Sequence, residues 1–141
     1  MIGLFRRSHL FHMPDSSDEK PYLFGSRCRI CGYTCFPKKS ACVRCRRDDV
    51  MEEVKLGPYG VLETFAVMRV GTHDFPAPYT IGYVITREGA IVFTLITGCE
   101  ASDGALQIGQ EMELVIEKIK EDNSGNDIFG WKFRPINRAS L

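Results

Sequence analysis

Two Cys-x-x-Cys sequences, Cys28–Cys31 and Cys42–Cys45, constrain this chain more than any other feature. Each can present two sulfur atoms from one tight turn, and the ten residues between them can bring the second turn back against the first. Four thiolates in a tetrahedron are a ligand set of structural zinc sites, which leave no open position for water or substrate. We therefore predict a zinc ribbon over residues 22–50, in which a structural Zn²⁺ ion is bound by Cys28, Cys31, Cys42 and Cys45.

The cellular compartment bears on whether these cysteines bind metal or form disulfides. Arg6 and Arg7 interrupt the first residues, which do not form the apolar stretch of a secretory signal. No run approaches the ~20 apolar residues that a transmembrane helix needs. We expect a cytoplasmic protein without membrane association, whose thiols stay reduced and available to metal. Iron in the same site, in an electron carrier, is an alternative that the spacing does not exclude; we favour zinc because the turns are rich in arginine.

The residues beside the cysteines indicate the geometry of the two turns. Gly32 follows the first pair, where a positive φ lets backbone N–H groups point at the sulfur atoms. Arg46 occupies the matching position after the second pair, so we expect a looser or mildly strained turn there. A tetrahedral site has no vacancy for the fifth cysteine, Cys35, which we predict to be a small packing residue.

Charge is distributed unevenly along a chain whose net charge is zero. Residues 1–50 hold ten Lys or Arg against five Asp or Glu, and residues 51–141 hold eight against thirteen, so the halves carry +5 and −5. The excess in the first half predicts an anion-binding surface, although a solvated face of the ribbon is an equally simple interpretation. The candidate anion-binding residues are Arg27, Arg29, Lys38, Lys39, Arg44, Arg46 and Arg47.

The segments on either side of the ribbon differ in pattern. Residues 1–21 read as an arm whose apolar side chains bury against the barrel or a partner, unless it is a frayed terminus. Asp15 or Ser16 can cap a short helical turn within it. Residues 48–53 read as a polar linker, and residues 51–141 as a barrel. Alternating apolar positions predict five strands in the barrel, over residues 61–70, 79–86, 90–97, 112–119 and 128–135.

We therefore predict a mainly β protein consisting of an arm, a zinc ribbon and a five-stranded OB-fold barrel. In the first barrel strand we expect Leu62, Ala66, Met68 and Val70 on one face. The last strand carries Phe129, Trp131 and Phe133 in phase.

Several motifs together resemble the DUF35 family over roughly residues 20–136. These are the spaced cysteines with Phe36-Pro37 between them, Gly57-x-x-Gly60-Val61, Pro78-Tyr79, Gly98-Cys99, Ile108-Gly109-x-x-Met112 and Phe133-Arg134-Pro135. The resemblance implies a rubredoxin-like zinc ribbon with an OB fold, in a protein associated with acyl-CoA enzymes. More narrowly, it implies the small subunit of a degradative thiolase. Cys35 and Lys38-Lys39 depart from the family pattern, so the ribbon surface is expected to differ in detail.

The resemblance implies a hetero-oligomer with a thiolase-fold subunit, in which this chain is a scaffold and contributes to binding coenzyme A. Its cationic candidates suit the phosphates of CoA. Thiolytic chemistry needs a nucleophilic cysteine with a base beside it, and neither Cys99 nor His73 offers a convincing set, so we expect no catalysis by this chain alone. His9 and His12 lie in the arm, within reach of a partner. A single-stranded nucleic-acid binder is the alternative, although an acidic barrel argues against it.

Overall fold

The computed structural model describes residues 10–14, 18–73 and 75–136. Within these ranges the chain is all-β, as predicted, with eleven strands and no helix. The strands are β1 Phe11–His12, β2 Tyr22–Cys28, β3 Thr34–Cys35, β4 Ala41–Cys42, β5 Arg47–Asp48, β6 Met51–Leu56, β7 Tyr59–Met68, β8 Tyr79–Thr86, β9 Ile91–Ile96, β10 Glu111–Glu121 and β11 Asp127–Pro135. None of the described segments forms a helix long and apolar enough to cross a membrane.

Strand β2 is the centre of the first sheet. It pairs antiparallel with β6 along its whole length, from Leu23 opposite Leu56 to Cys28 opposite Met51. Its other edge pairs with β1 and then with β3. The prediction of a polar linker over residues 48–53 is therefore wrong at its end, because Met51 begins a strand. The polar side chains of β6 misled the prediction because a strand at the edge of a sheet can carry solvated side chains while its backbone pairs with one neighbour, here β2.

Strands β7 to β11 form a closed barrel in the order β10-β11-β9-β8-β7, with β7 pairing back to β10. The pairs are antiparallel except for β9 and β11, which run parallel at Leu95 and Lys132. All five strands predicted from the alternating pattern are present, and the β8 bounds agree with the prediction residue for residue.

A β-bulge in β7 changes which side chains face the core. The pairing with β8 shifts between Leu62 and Thr64, so the alternation that buries Leu62 is displaced by one residue beyond it. Phe65 packs against the core, whereas Ala66 is exposed and Val70 is 80% exposed. The predicted face of Leu62, Ala66, Met68 and Val70 is therefore wrong beyond its first residue.

One hydrophobic core joins the first sheet to the barrel. Leu10, Phe11, Leu23 and Leu56 belong to the same buried cluster as the barrel residues, including the fully buried Phe133. The expectation that the arm buries apolar side chains is confirmed for Leu10 and Phe11, which pack within their own chain. Residues 1–9, with His9, and the proposed caps Asp15 and Ser16 lie outside the described residues.

Candidate metal centre and the basic residues around it

Four cysteine sulfur atoms converge at one end of the first sheet. The Sγ atoms of Cys28, Cys31, Cys42 and Cys45 all lie within 4.8 Å of one another. Cys28 Sγ is 3.9 Å from Cys45 Sγ, and Cys31 Sγ is 3.6 Å from Cys42 Sγ. These separations are far longer than a disulfide bond of about 2 Å. A tetrahedron of sulfur atoms with metal–sulfur bonds of about 2.3 Å has edges of about 3.8 Å, so this arrangement fits a four-coordinate ion.

The first turn points its backbone N–H groups at a ligand sulfur. Cys28 ends β2, and its Sγ accepts hydrogen bonds from the N–H groups of Ile30 and Cys31 at 3.4 and 3.5 Å. The turn closes when Gly32 N donates to Cys28 O at 3.0 Å. Gly32 has a φ of 81°, as predicted, a value that glycine adopts without a steric penalty.

The second turn repeats this geometry without a glycine. Cys42 ends β4, and its Sγ accepts a hydrogen bond from Cys45 N at 3.3 Å. Arg46 N donates to Cys42 O at 2.8 Å, and Arg46 has a φ of 59°. Of the two outcomes expected for this turn, the structure shows the strained one: an L-residue in the left-handed region at the place where the first turn has Gly32.

The electrostatics of the four thiols favour a cation among them. The hydrogen bond from Cys31 N–H, assisted by that from Ile30, lowers the pKa of Cys28 to about 6 against the opposing effect of burial. Hydrogen bonding to the Cys31 thiol, followed by burial, raises the pKa of Cys45 to about 12. Cys28 therefore ionises readily while Cys45 retains its proton, chiefly because of its hydrogen bond to the Cys31 thiol and its burial. A divalent ion at the centre would replace the hydrogen bonds between thiols and favour the thiolate form of all four sulfurs.

The remaining cysteines lie away from this centre. Cys35 is buried in β3, outside the four-sulfur cluster, as its predicted packing role requires. Burial raises the pKa of Cys35 and of the half-buried Cys99, so neither thiol is activated. Cys99 lines a cleft of about 270 Å³ at one end of the barrel, whose lining includes no histidine among the described residues. His73 is exposed in the loop between β7 and β8.

Two of the seven basic candidates lie in one cleft. Lys39 and Arg44 line a cleft of about 280 Å³ between the ribbon and the turn that joins β8 to β9. The Arg44 guanidinium lies over the Tyr33 ring, 5.2 Å from its centroid. Lys39 is anchored through its backbone N–H, which donates to Ser26 Oγ at 3.0 Å.

The other five basic candidates are dispersed, and three of them contact other groups of the chain. Arg27 Nε donates to Thr34 Oγ1, and Arg29 Nη2 donates to the carbonyl of Asp49 at 2.6 Å. Lys38 forms an ion pair with Glu53 at 3.7 Å. Arg46 and Arg47 lie beside Asp48 and Asp49 on the β4–β5 hairpin. The structure thus brings Lys39 and Arg44 together in that cleft and places Glu53, which is distant in sequence, beside Lys38.

Sequence reasoning missed Glu88 as a neighbour of the basic cleft. Glu88 lies in the β8–β9 turn, lines the cleft, and accepts a hydrogen bond from Gly57 N at 3.0 Å. No sequence motif predicts that Glu88 lies beside the cleft, because its position depends on how the barrel packs against the ribbon.

The fold and the site together define a class: small all-β proteins that join a four-cysteine ribbon able to hold a metal ion to an OB-type barrel. Residues 53–117 match the family model of the C-terminal OB-fold domain of ChsH2. A DUF35 domain-containing scaffold protein of Methanocaldococcus jannaschii is 39% identical over 84% of each chain. The benzoylsuccinyl-CoA thiolase subunit BbsA of Thauera aromatica is 32% identical over 82% of this chain and 78% of its own. This chain belongs to the DUF35 family.

A solved structure supports the fold at lower sequence identity. The Ltp2-ChsH2(DUF35) aldolase contains a chain that aligns with a TM-score of 0.64 and 23% identity, over 81% of this chain and 84% of that one. The similarity confirms the architecture of ribbon and barrel, and at this identity it supports the fold alone.

Proposed function

We propose that this chain is a non-catalytic, zinc-binding accessory subunit of a thiolase-type acyl-CoA enzyme complex in the cytoplasm. The observation that carries the proposal is the similarity to BbsA, named as a thiolase subunit, over most of both chains. A second BbsA, from Geobacter metallireducens, is 30% identical over 82% of this chain. The partner would be a thiolase-fold subunit in a hetero-oligomer.

The site chemistry supports a role without catalysis. A thiolase nucleophile needs an activated thiolate and a base, and Cys99 has a raised pKa in a cleft whose described lining holds no histidine. The four ribbon cysteines would hold Zn²⁺ as a closed structural site. Bound zinc would stabilise the two turns and keep the surrounding side chains in fixed positions.

The identity of the metal has a direct test. Protein expressed with both metals available and purified in air should be colourless and contain one zinc per chain by elemental mass spectrometry. A red protein with iron in equal amount to protein would instead indicate an iron site of the rubredoxin kind.

Coenzyme A contact is the second part of the proposal. Lys39 and Arg44 border one cleft and can recognise phosphate groups, and the aromatic Tyr33 lies beside them. Arg27, Arg29 and Lys38 would contribute less, because the contacts described above engage them within the chain. Arg46 and Arg47 lie outside this cleft, beside Asp48 and Asp49. The proposal leaves the acyl group unspecified; a benzoylsuccinyl-CoA thiolase subunit is its narrowest form. The DUF35 domain-containing scaffold protein of Methanocaldococcus jannaschii, at 39% identity, is more similar to this chain than the two BbsA subunits at 32% and 30%.

Calorimetric titration of CoA into the chain, alone and with its partner, tests this contact. Replacing both Lys39 and Arg44 by alanine should weaken CoA binding to the complex by about 100-fold or more, since charge-assisted hydrogen bonds contribute about 1.5–3 kcal/mol each. Arg69→Ala is the matched control, because Arg69 pairs with Asp103 on the barrel at 2.7 Å. CoA binding that is absent in the wild-type complex, or unchanged by the double substitution, contradicts the CoA part of the proposal.

A further inference from the structure

The outer surface of strands β7, β8 and β9 is apolar where a solvated sheet would be polar. Antiparallel strands that face water on one side normally alternate between apolar inward and polar outward residues. Here the inward positions of β8 and β9 include three buried threonines, Thr80, Thr86 and Thr94. The outward positions of β9 are Ile91, Phe93 and Leu95, which are exposed or half-buried.

The strand register arranges these outward side chains in three rows. Val61, Ile85 and Ile91 form the first row, because each is directly paired with the next. Thr64, Tyr83 and Phe93 form the second, and Ala66, Ile81 and Leu95 the third. We call these nine residues the neutral face, since none of them carries a charge. The exposed Glu63, which the bulge inserts in β7 between Val61 and Thr64, is a charged residue beside them.

Large apolar side chains at its centre remain accessible. Tyr83 is 43% exposed and Phe93 is 44% exposed, with their ring centroids 5.4 Å apart. Ile91 is 55% exposed and Val61 is 40% exposed beside them. Contiguous exposed apolar surface of this kind marks a site of interaction, and exposed aromatic side chains are typical interface anchors.

The opposite side of the same barrel shows what its solvated surface looks like. On β10 and β11, Glu113 pairs with Arg134 at 2.7 Å and Glu117 pairs with Lys132 at 3.5 Å. The neutral face lacks such pairs along three adjacent strands. The outward side chains of β10 and β11 are thus charged and paired, whereas the nine outward side chains of β7, β8 and β9 are uncharged.

We infer that the neutral face is the surface on which the enzyme subunit docks, through an uncharged and apolar patch of its own. This inference rests on the proposed function, and it places the protein contact on the barrel, next to the basic cleft, which Ile91 also lines. The absence of charge on these nine residues selects the occupant. A nucleic acid needs cations along its phosphates, whereas a protein interface is depleted of charge at its centre and polar at its rim. The similarity to proteins named as thiolase subunits favours a different protein over a second copy of this chain.

The test uses the full chain and the thiolase-fold protein that co-purifies with it, identified by mass spectrometry and then purified. Tyr83→Glu should weaken the complex at least about 30-fold in a titration, as removal of a central anchor does. Ile108→Glu is the matched control, because Ile108 is 62% exposed outside the neutral face, and this variant should bind like the wild type. Phe93→Ser provides a milder change on the same face, and circular dichroism checks that each variant is folded.

Hydroxyl-radical footprinting locates the contact independently of any substitution. Oxidation of Tyr83 and Phe93 should fall several-fold on complex formation, while that of Ile108 stays constant. Failure of any thiolase-fold protein to co-purify with the wild type contradicts the proposed function itself. A complex that forms but tolerates Tyr83→Glu and Phe93→Ser overturns only the docking surface. Dimerisation of the isolated chain through Tyr83, or oligonucleotide binding that depends on it, also overturns the inference.

Discussion

Arg46 adopts a backbone conformation that its side chain disfavours, in the turn that carries two of the four clustered cysteines. Its φ of 59° is close to the 81° of Gly32, and each of these residues donates its N–H to the carbonyl of the first cysteine in its turn. The folded protein keeps Arg46 in this conformation although it costs about 1 kcal/mol of backbone strain. The cysteine spacing and Gly32 predicted the paired turns, because the chemistry of a four-thiolate site is local in sequence.

Substitutions at these two positions should have opposite effects on stability. Gly32→Ala should destabilise the zinc-loaded protein by about 1 kcal/mol, because a side chain there meets no neighbour but carries the full penalty of a positive φ. Arg46→Gly should stabilise it by about 0.5–1 kcal/mol. Urea unfolding at a fixed zinc concentration measures both. A stabilising Gly32→Ala would show that the first turn does not require this conformation.

Removal of one ligand should abolish metal binding and the order of the ribbon. Cys42 is buried at the centre of the second turn, and a serine there leaves a site of three thiolates. Cys42→Ser should therefore lose its zinc by elemental analysis and show rapid amide exchange over residues 41–50. Cys35→Ala is the control, because Cys35 lies outside the cluster, and it should keep one zinc per chain. A Cys42→Ser protein with native exchange and a normal complex would refute the structural role of the metal.

Close contact between the backbones of β7 and β8 determines where these barrel strands can bend and pair. Gly82 in β8 faces the bulge of β7, where a Cβ would lie 2.7 Å from Thr64 O. The alternation of apolar residues predicted all five barrel strands, but it did not reveal the bulge between Leu62 and Thr64. A bulge adds one residue to one strand only, and the local sequence of β7 contains no pattern that predicts it. For the same reason of non-local pairing, β6 was mistaken for a linker.

Gly82→Ala should destabilise the protein by about 1–3 kcal/mol, because the neighbouring atom is backbone that cannot rotate away. Gly104→Ala is the control, since nothing lies within 4 Å of the Cβ it would add, and its effect should stay within about 0.5 kcal/mol. Chemical denaturation measures both variants. Equal stability of the two alanine variants would show that β7 and β8 do not approach each other as closely as described.

The whole molecule is a four-cysteine ribbon and a barrel that share one core, and their surfaces differ in chemistry. The basic cleft, with Lys39 and Arg44, faces the turn between β8 and β9, whereas the neutral face, centred on Tyr83 and Phe93, is uncharged. The family could be identified from motifs because they are short and local. The position of Glu88 beside the cleft could not be predicted from motifs, because it arises from packing between distant segments. The three rows of the neutral face could not be predicted either, because they arise from strand register.

The central claim is that this chain functions as a subunit of a thiolase-type complex. Affinity purification of the full-length protein from its native host, followed by mass spectrometry, tests it most directly. We expect a thiolase-fold protein in a fixed ratio to this chain, retained in moderate salt because the nine residues of the neutral face carry no charge. Recovery of the chain alone, or with RNA in place of a protein partner, would contradict it.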